Sequence, residues 1–284
     1  MTDIMKIERI KLKIDPAHWQ NQLFGLSKAR WNSLKDKSFL ITGAGTGYGR
    51  CLVVALAAAG AQVFLTGRRK QKLEETIQEV KKFGIPSEVC HLVPADITDP
   101  EQIKKACEII THSCDTLYGL VNNAALPVRG DVSRPLLDGS FEDWNRIMCT
   151  NVTAPWFLTR TIFPHMAKGN MSRVLFVSSE AGWAFTPGFG PYNISKAALN
   201  NLGASMAAEC FLAYPDVDVQ MNVLVAGLAR TEMNQGSDGN PYDIVRMALI
   251  LLSHPKGGPN QKFFHSDGRY LDFTYASIYD KPLV

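Results

Sequence analysis

Residues 38–49 read Ser38-Phe39-Leu40-Ile41-Thr42-Gly43-Ala44-Gly45-Thr46-Gly47-Tyr48-Gly49, and this stretch decides the fold. Its first five residues form an apolar run without polar alternation, the pattern of a strand buried on both faces. Glycines at 43, 45, 47 and 49 follow, and Gly47 to Ala59 is rich in Ala, Leu and Val, as a buried helix would be. A strand that runs through a glycine turn into a helix brings backbone N–H groups to a helix N-terminus. Such a turn lets the chain approach a pyrophosphate closely. The spacing here is GxxxGxG, on Gly43, Gly47 and Gly49, instead of the more usual GxGxxG. Thr46 and Tyr48 complete the turn.

The same alternation continues outward. Residues 61–66, 89–94, 117–122, 173–178 and 217–225 read as further strands, with a short one at 262–264. Between them lie helical patterns. One is amphipathic from Arg69 to Phe83, with Leu73, Ile77 and Val80 on one face. Another starts at Asp99-Pro100-Glu101-Gln102, an Asp N-cap with Pro in the first turn and a Gln placed for a capping box. A long helix runs from Ser140 toward Met166, and others cover 192–212 and 242–252. Strands alternating with helices require crossover connections and hence a parallel sheet. The reading is an α/β fold: a Rossmann-type, doubly wound parallel sheet flanked by helices on both faces, in a single domain over residues 37–284. Ligands of such sheets bind beyond the carboxyl ends of the strands.

Residues 1–36 form an N-terminal extension. Ile10, Leu12 and Ile14 alternate with Lys11 and Lys13 like a half-exposed strand, and a segment bearing Trp19, Phe24 and Trp31 follows. So many large apolar groups predict packing on the chain's own core. The net charge of +3, from 30 basic and 27 acidic residues, is too balanced to suggest a nucleic-acid partner. No apolar run approaches the ~18 residues of a membrane span, and the start has no apolar signal region. Six cysteines without a CxxC, and histidines without HExxH, point to reduced thiols in the cytoplasm and to no metal.

The end of the second strand speaks to the cofactor. A sheet of this kind that prefers NAD places an acidic residue there for the ribose hydroxyls. This chain has Thr66-Gly67-Arg68-Arg69 instead. An arginine fork binds a 2′-phosphate with charge-assisted bonds, whereas a carboxylate would repel it. Arg68 and Arg69 therefore favour NADP(H).

Tyr192 and Lys196 stand at i and i+4, on one face of a helix. An ammonium beside a phenol favours the phenolate and lowers its pKa, and such a tyrosine can exchange a proton with a substrate oxygen. Ser179 closes the strand before that helix and can donate to a carbonyl oxygen as charge develops on it. Ser178 points to the other side of the strand.

Five motifs stand in an order that resembles the short-chain dehydrogenase/reductase family, in its NADP-preferring type. They are the Thr42–Gly49 turn, Asp96, Asn122-Asn123-Ala124, Ser179 with Tyr192 and Lys196, and Gly227 with Thr231. The resemblance covers residues 37 to about 268. It implies that Tyr192 is the general acid/base, that Lys196 tunes it and holds the nicotinamide ribose, and that Ser179 polarises the substrate carbonyl. Asn151 would hold a water that links Lys196 to solvent. Asp96 and Ile97 would lie against the adenine, Asn122, Asn123 and Ala124 would line the cofactor cleft, Gly227 would belong to the turn that positions the nicotinamide, and Thr231 would contact the nicotinamide amide or the pyrophosphate. Trp183, Phe185 and Phe189 stand where the family places substrate contacts. The implied partner is a small carbonyl or alcohol, and the implied assembly a homodimer or homotetramer. Ala197, Leu199, Leu202 and Met206 are candidates for that interface or for the core.

The chain departs from the family in having Ala125 and Ala226 where Gly and Pro are usual, a short segment from Thr231 to Tyr242, and no closing Asp-Gly-Gly. The expected reaction is hydride transfer between nicotinamide and a carbonyl or secondary alcohol, in the direction of ketone reduction. A redox sensor without turnover and a nucleotide-sugar-modifying enzyme are the alternatives.

Overall fold

The run from Ser38 to Thr42 forms a strand because every residue in it is buried, one face toward each side of a sheet. The computed structural model describes residues 14–128, 134–184 and 187–272. Along the chain come the short helices α1 (Trp19–Gln22) and α2 (Lys28–Asn32), then β1 (Ser38–Thr42), α3 (Gly47–Ala58), β2 (Gln62–Thr66), α4 (Lys70–Lys82) and β3 (Cys90–Leu92). Next are α5 (Pro100–Ser113), β4 (Gly119–Asn122), α6 (Phe141–Met148), α7 (Ala154–Met166), β5 (Met171–Ser178), α8 (Pro191–Ala213) and β6 (Asp218–Val225). The last elements are α9 (Asp243–Leu252), β7 (Lys262–His265) and β8 (Tyr270–Asp272).

The strand order is β3-β2-β1-β4-β5-β6-β7-β8. Strands β1 to β7 pair in parallel, and only β7–β8 is antiparallel. The direction of winding reverses between β1 and β4, which opens a crevice at their carboxyl ends. The sheet is covered on both faces. Phe39 and Ile41 join a core with α2, α3 and α9, while Leu40, between them, joins a second core with α5, α7 and α8.

Local chemistry sets the helix starts. Asp99 accepts from the N–H groups of Glu101 and Gln102 at 2.9 and 3.3 Å. The capping box is not reciprocal: Gln102 Oε1 receives the N–H of Asp96 at 2.9 Å instead of that of Asp99. Ser140 Oγ caps α6 by accepting from Asp143 N–H at 3.0 Å.

Two expectations are corrected. The parallel sheet gains an antiparallel edge, because Tyr270–Asp272 folds back on β7 after the turn at Gly268. The long helix from Ser140 to Met166 is broken by a π-helical turn at Cys149–Thr153. Pro155, just beyond it, has no N–H to return to the carbonyl of Asn151, so the regular ladder cannot run through.

Of the extension, Ile14, Phe24, Leu26, Trp31 and Leu34 are buried in the first core. Phe24 stacks on Trp31 at a centroid distance of 6.0 Å, and Trp19 Nε1 donates to the Phe83 carbonyl at 3.1 Å. Ile10 and Leu12 lie outside the described residues. No described helix is long and apolar enough to cross a membrane.

Candidate active site

A cleft of about 810 Å³ lies along the carboxyl ends of the strands, at the reversal between β1 and β4. Its floor is the glycine turn. Gly43 has φ +63°, and a Cβ there would lie 2.9 Å from Ala124 Cα, so no side chain fits where the two turns meet. Gly49 is not in the lining. It packs beneath the turn, where a Cβ would collide with the Gly43 carbonyl. Thr42 Oγ1 accepts from the N–H groups of Asn123 and Ala124, both at 3.0 Å, and Asn123 Nδ2 donates to the Thr42 carbonyl at 2.9 Å. These bonds lock the turns after β1 and β4 together. Gly43, Thr46, Gly47, Tyr48, Asn123 and Ala124 all line the cleft. Asn122 does not: it is buried and donates to Thr159 Oγ1 at 2.9 Å.

At one end stand Arg68, Arg69, Asp96 and Ile97. Arg68 is 54% exposed and lies 3.9 Å from Asp96 Oδ2, while Arg69 makes a 2.7 Å ion pair with Glu232 from the far lip. The other oxygen of Asp96 accepts from Thr98 N–H and Oγ1 at 2.9 and 2.7 Å, which fixes the carboxylate.

At the other end, Ser179, Tyr192 and Lys196 share one wall. Ser179 caps a short turn, accepting from Ala181 N–H at 3.2 Å, and its side chain bonds the Tyr192 phenol. Lys196 is buried. Its Nζ donates to the Val177 carbonyl at 2.9 Å and lies 5.6 Å from the centre of the Tyr192 ring. Burial lowers the Lys196 amine to about 8. Burial also raises the Tyr192 phenol above its ordinary value, with the Ser179 bond offsetting part of the rise. Desolvation of the ring opposes the lowering of the phenol expected from Lys196, whose own amine, lowered to about 8, stays largely protonated at neutral pH. Ser178 also borders the cleft, but its hydroxyl is taken up by Asn200, donating to Oδ1 at 2.5 Å.

A model of the short chain dehydrogenase family matches residues 37–240. The chain belongs to that family. Bovine dehydrogenase/reductase SDR family member 4 is 32% identical over 210 residues, 73% of this chain and 71% of the relative. Gluconate 5-dehydrogenase of Gluconobacter oxydans (strain 621H) is 30% identical over 264 residues, 87% of this chain and 96% of that one. Among solved structures, a short chain dehydrogenase from Shigella flexneri 2a, complexed with NADP, matches with a TM-score of 0.74 at 25% identity. That match covers 83% of this chain and 99% of the other.

In this short-chain dehydrogenase, Asn151 sits in the π turn, buried, with its carboxamide engaged. Oδ1 accepts from Leu126 N–H at 2.8 Å, and Nδ2 donates to the Leu126 carbonyl and to Ser195 Oγ, both at 3.0 Å. The side chain ties the loop after β4 to α8. Phe189 lines the cleft and packs edge-on against Tyr192 at 6.0 Å. Trp183 does not line it. The turn after Ser179 sends its ring against Phe263 of β7 at 5.1 Å, so its assignment as a substrate contact is corrected. Phe185 lies outside the described residues.

Gly227 and Thr231 close the far lip. Gly227 has φ +77°, and Tyr48 Oη donates to its carbonyl at 3.0 Å. Burial pushes the Tyr48 phenol up to about 12, so it remains a donor. This bond steadies the turn that Ala226 leaves without the usual proline. Sequence reasoning missed Lys72, Leu126, Val128, Glu232 and Met233, all of which line the cleft. They come from a helix face and two loops, with no motif to mark them.

Proposed function

We propose that this protein is an NADP(H)-dependent oxidoreductase that interconverts a carbonyl compound and its secondary alcohol, acting as a ketone reductase. The observation that carries the reading is the single cleft joining Ser179, Tyr192 and Lys196 at one end to Arg68 and Arg69 at the other. A dinucleotide fits what lies between. The Gly43 turn leaves no room for a side chain, and the Thr46 side chain makes no capping bond at the start of α3, leaving N–H donors there for an anion. Arg68 and Arg69 would hold the 2′-phosphate, Asp96 and Ile97 the adenosine, Gly227 the nicotinamide end, and Thr231, beside Gly47 of the glycine turn, the nicotinamide amide or the pyrophosphate. The NADP named with the Shigella neighbour supports the same choice.

The nicotinamide, when bound, supplies or accepts the hydride. The chain's own groups handle the proton. The Tyr192 phenol, kept protonated by burial, donates to the substrate oxygen, and Ser179 donates a second hydrogen bond to it as negative charge develops. Lys196 steadies the phenolate that remains. Asn151 would hold a water linking Lys196 to solvent. A bulky, partly apolar or ring-containing substrate suits the Tyr192 end, where Phe189 stands beside Leu126 and Val128.

Cytoplasmic location and assembly into a dimer or tetramer belong to the same reading. Of the four residues of α8 considered for an interface, Leu199 is core, Leu202 and Met206 pack partly against it, and Ala197 is exposed.

The test is NADPH consumption against a panel of cyclic and aromatic ketones by wild type and Tyr192→Phe. Turnover by wild type that the variant loses, while it still binds NADPH, supports the reading. NADPH binding without oxidation by any ketone would favour a sensor.

A further inference from the structure

The first turn of α3 carries an arginine that faces away from the cleft. Arg50 donates to the Gly45 carbonyl from Nη2 at 2.6 Å and from Nε at 3.1 Å. Its guanidinium is held by α4: Thr76 Oγ1 lies 3.2 Å from Nε, Glu75 Oε2 3.2 Å from Nη2, and Glu79 Oε2 3.4 Å from Nη1. The Thr76 hydroxyl proton is in turn shared between the preceding carbonyl, that of Ala44 at 2.9 Å, and the Lys72 carbonyl of its own helix at 3.0 Å. Two successive carbonyls of the glycine turn are thus drawn toward α4. In a trans peptide the C=O and the following N–H point in opposite directions. Holding these carbonyls therefore turns the N–H groups of Gly45 and Thr46 away from α4, and both residues line the cleft.

The α4 side of this clamp is itself braced. Tyr242 Oη donates to the second oxygen of Glu79 at 2.9 Å. The Tyr242 ring lies 6.1 Å from Phe24, which stacks on Trp31, and Trp31 lies 6.3 Å from Trp19. Trp19 holds the carbonyl of Phe83 at the end of α4. The path runs without a break from the N-terminal aromatic cluster, through Tyr242 and Glu79, to Arg50 and the glycine turn.

We propose that Arg50 is a positioning residue for the pyrophosphate cradle, and that the N-terminal extension, through Tyr242 and Glu79, holds it in place. The inference rests on the NADP(H) reading given above. It makes the extension part of the cofactor site without touching the cofactor.

The test compares two ligands by fluorescence or calorimetric titration of the full chain. NADPH contains the pyrophosphate, and 2′-AMP keeps the adenosine and its 2′-phosphate without it. Arg50→Gln is expected to weaken NADPH about tenfold while changing 2′-AMP less than about twofold, as loss of charge-assisted bonds at the turn implies. Arg50→Lys, which keeps the charge but has a single donor nitrogen in place of the fork, recovers part of the loss. Tyr242→Phe keeps the ring and removes the hydroxyl, and it shifts NADPH in the same direction by about threefold. If Arg50→Gln fails to fold, Arg50→Lys and Tyr242→Phe carry the comparison. Unchanged NADPH affinity in these variants, or equal weakening of both ligands, overturns the proposal. Wild type that binds neither ligand overturns the cofactor reading itself, and this inference falls with it.

Discussion

The Tyr48 hydroxyl donates to the Gly227 carbonyl at 3.0 Å and so joins the turn after β1 to the turn after β6 across the cleft. The first turn belongs to the proposed pyrophosphate cradle and the second to the proposed nicotinamide end, so the bond sets the distance between them. Tyr48→Phe keeps the ring and removes the donor. Its expected effect is an NADPH affinity about three- to tenfold weaker, the consequence of one lost hydrogen bond. Titration of nicotinamide fluorescence measures it, and unchanged affinity would show that the Gly227 turn holds without the bond.

Arg68 is the less tightly paired of the two arginines, its guanidinium 3.9 Å from the Asp96 carboxylate. Arg69 is already engaged with Glu232 at 2.7 Å. Arg68→Ala is expected to weaken NADPH about tenfold or more and to leave NADH nearly unchanged, since only the former carries the 2′-phosphate. Arg69→Ala should cost less. Parallel titrations with both cofactors decide this, and equal losses for NADPH and NADH would remove the phosphate argument.

The Tyr192 phenol lies above its ordinary value, because burial disfavours its ionised form. Its protonated form therefore persists through neutral pH. Between about pH 6 and 9 ketone reduction, which consumes the phenolic proton, should hold until Lys196 loses its proton, at about pH 8, and then fall, with a further fall where the phenol ionises. Alcohol oxidation, which needs the phenolate, should rise with pH over the same range. Tyr192→Phe should lower kcat/KM by about 10²- to 10⁴-fold, the usual worth of a positioned acid/base. A reductive rate that climbs with pH would contradict the assignment.

Phe24 is 1% exposed and lies between Trp31 and Tyr242. Phe24→Ala should destabilise the protein by about 3–5 kcal/mol, the cost of the lost apolar burial and the cavity left behind. Urea denaturation measures it. A loss below about 1 kcal/mol would mean that residues 14–34 contribute little to the folded unit.

Much of the site was legible because its residues sit at fixed offsets from strand ends. A strand end followed by glycines, or by Ser179 and then Tyr192 and Lys196, can only lead to the crevice edge of a parallel sheet. Trp183 was misread for the opposite reason. Its direction depends on a short turn after Ser179 that no repeating pattern constrains, and that turn delivers it to Phe263. The π turn at Cys149–Thr153 escaped because helical periodicity barely changes when one turn widens by a single residue. Lys72 and Glu232 escaped because each ordinarily reads as a solvated charge, and only the packing of α4 against the far lip brings them together, 3.9 Å apart.

By itself the sequence determined the doubly wound sheet, the glycine turn and the Ser179, Tyr192 and Lys196 set. These follow from local rules: burial patterns, φ values open only to glycine, and the i to i+4 spacing of a helix. The tertiary structure alone decided the electrostatics and the bracing. Burial, which no local pattern measures, lifts Tyr192 and lowers Lys196 to about 8. Contacts between residues far apart in the chain tie Tyr48 to Gly227 and link Phe24, Tyr242, Glu79 and Arg50 behind the glycine turn. Such contacts depend on how helices settle on the sheet, and side-chain packing sets that only once the whole chain is in place.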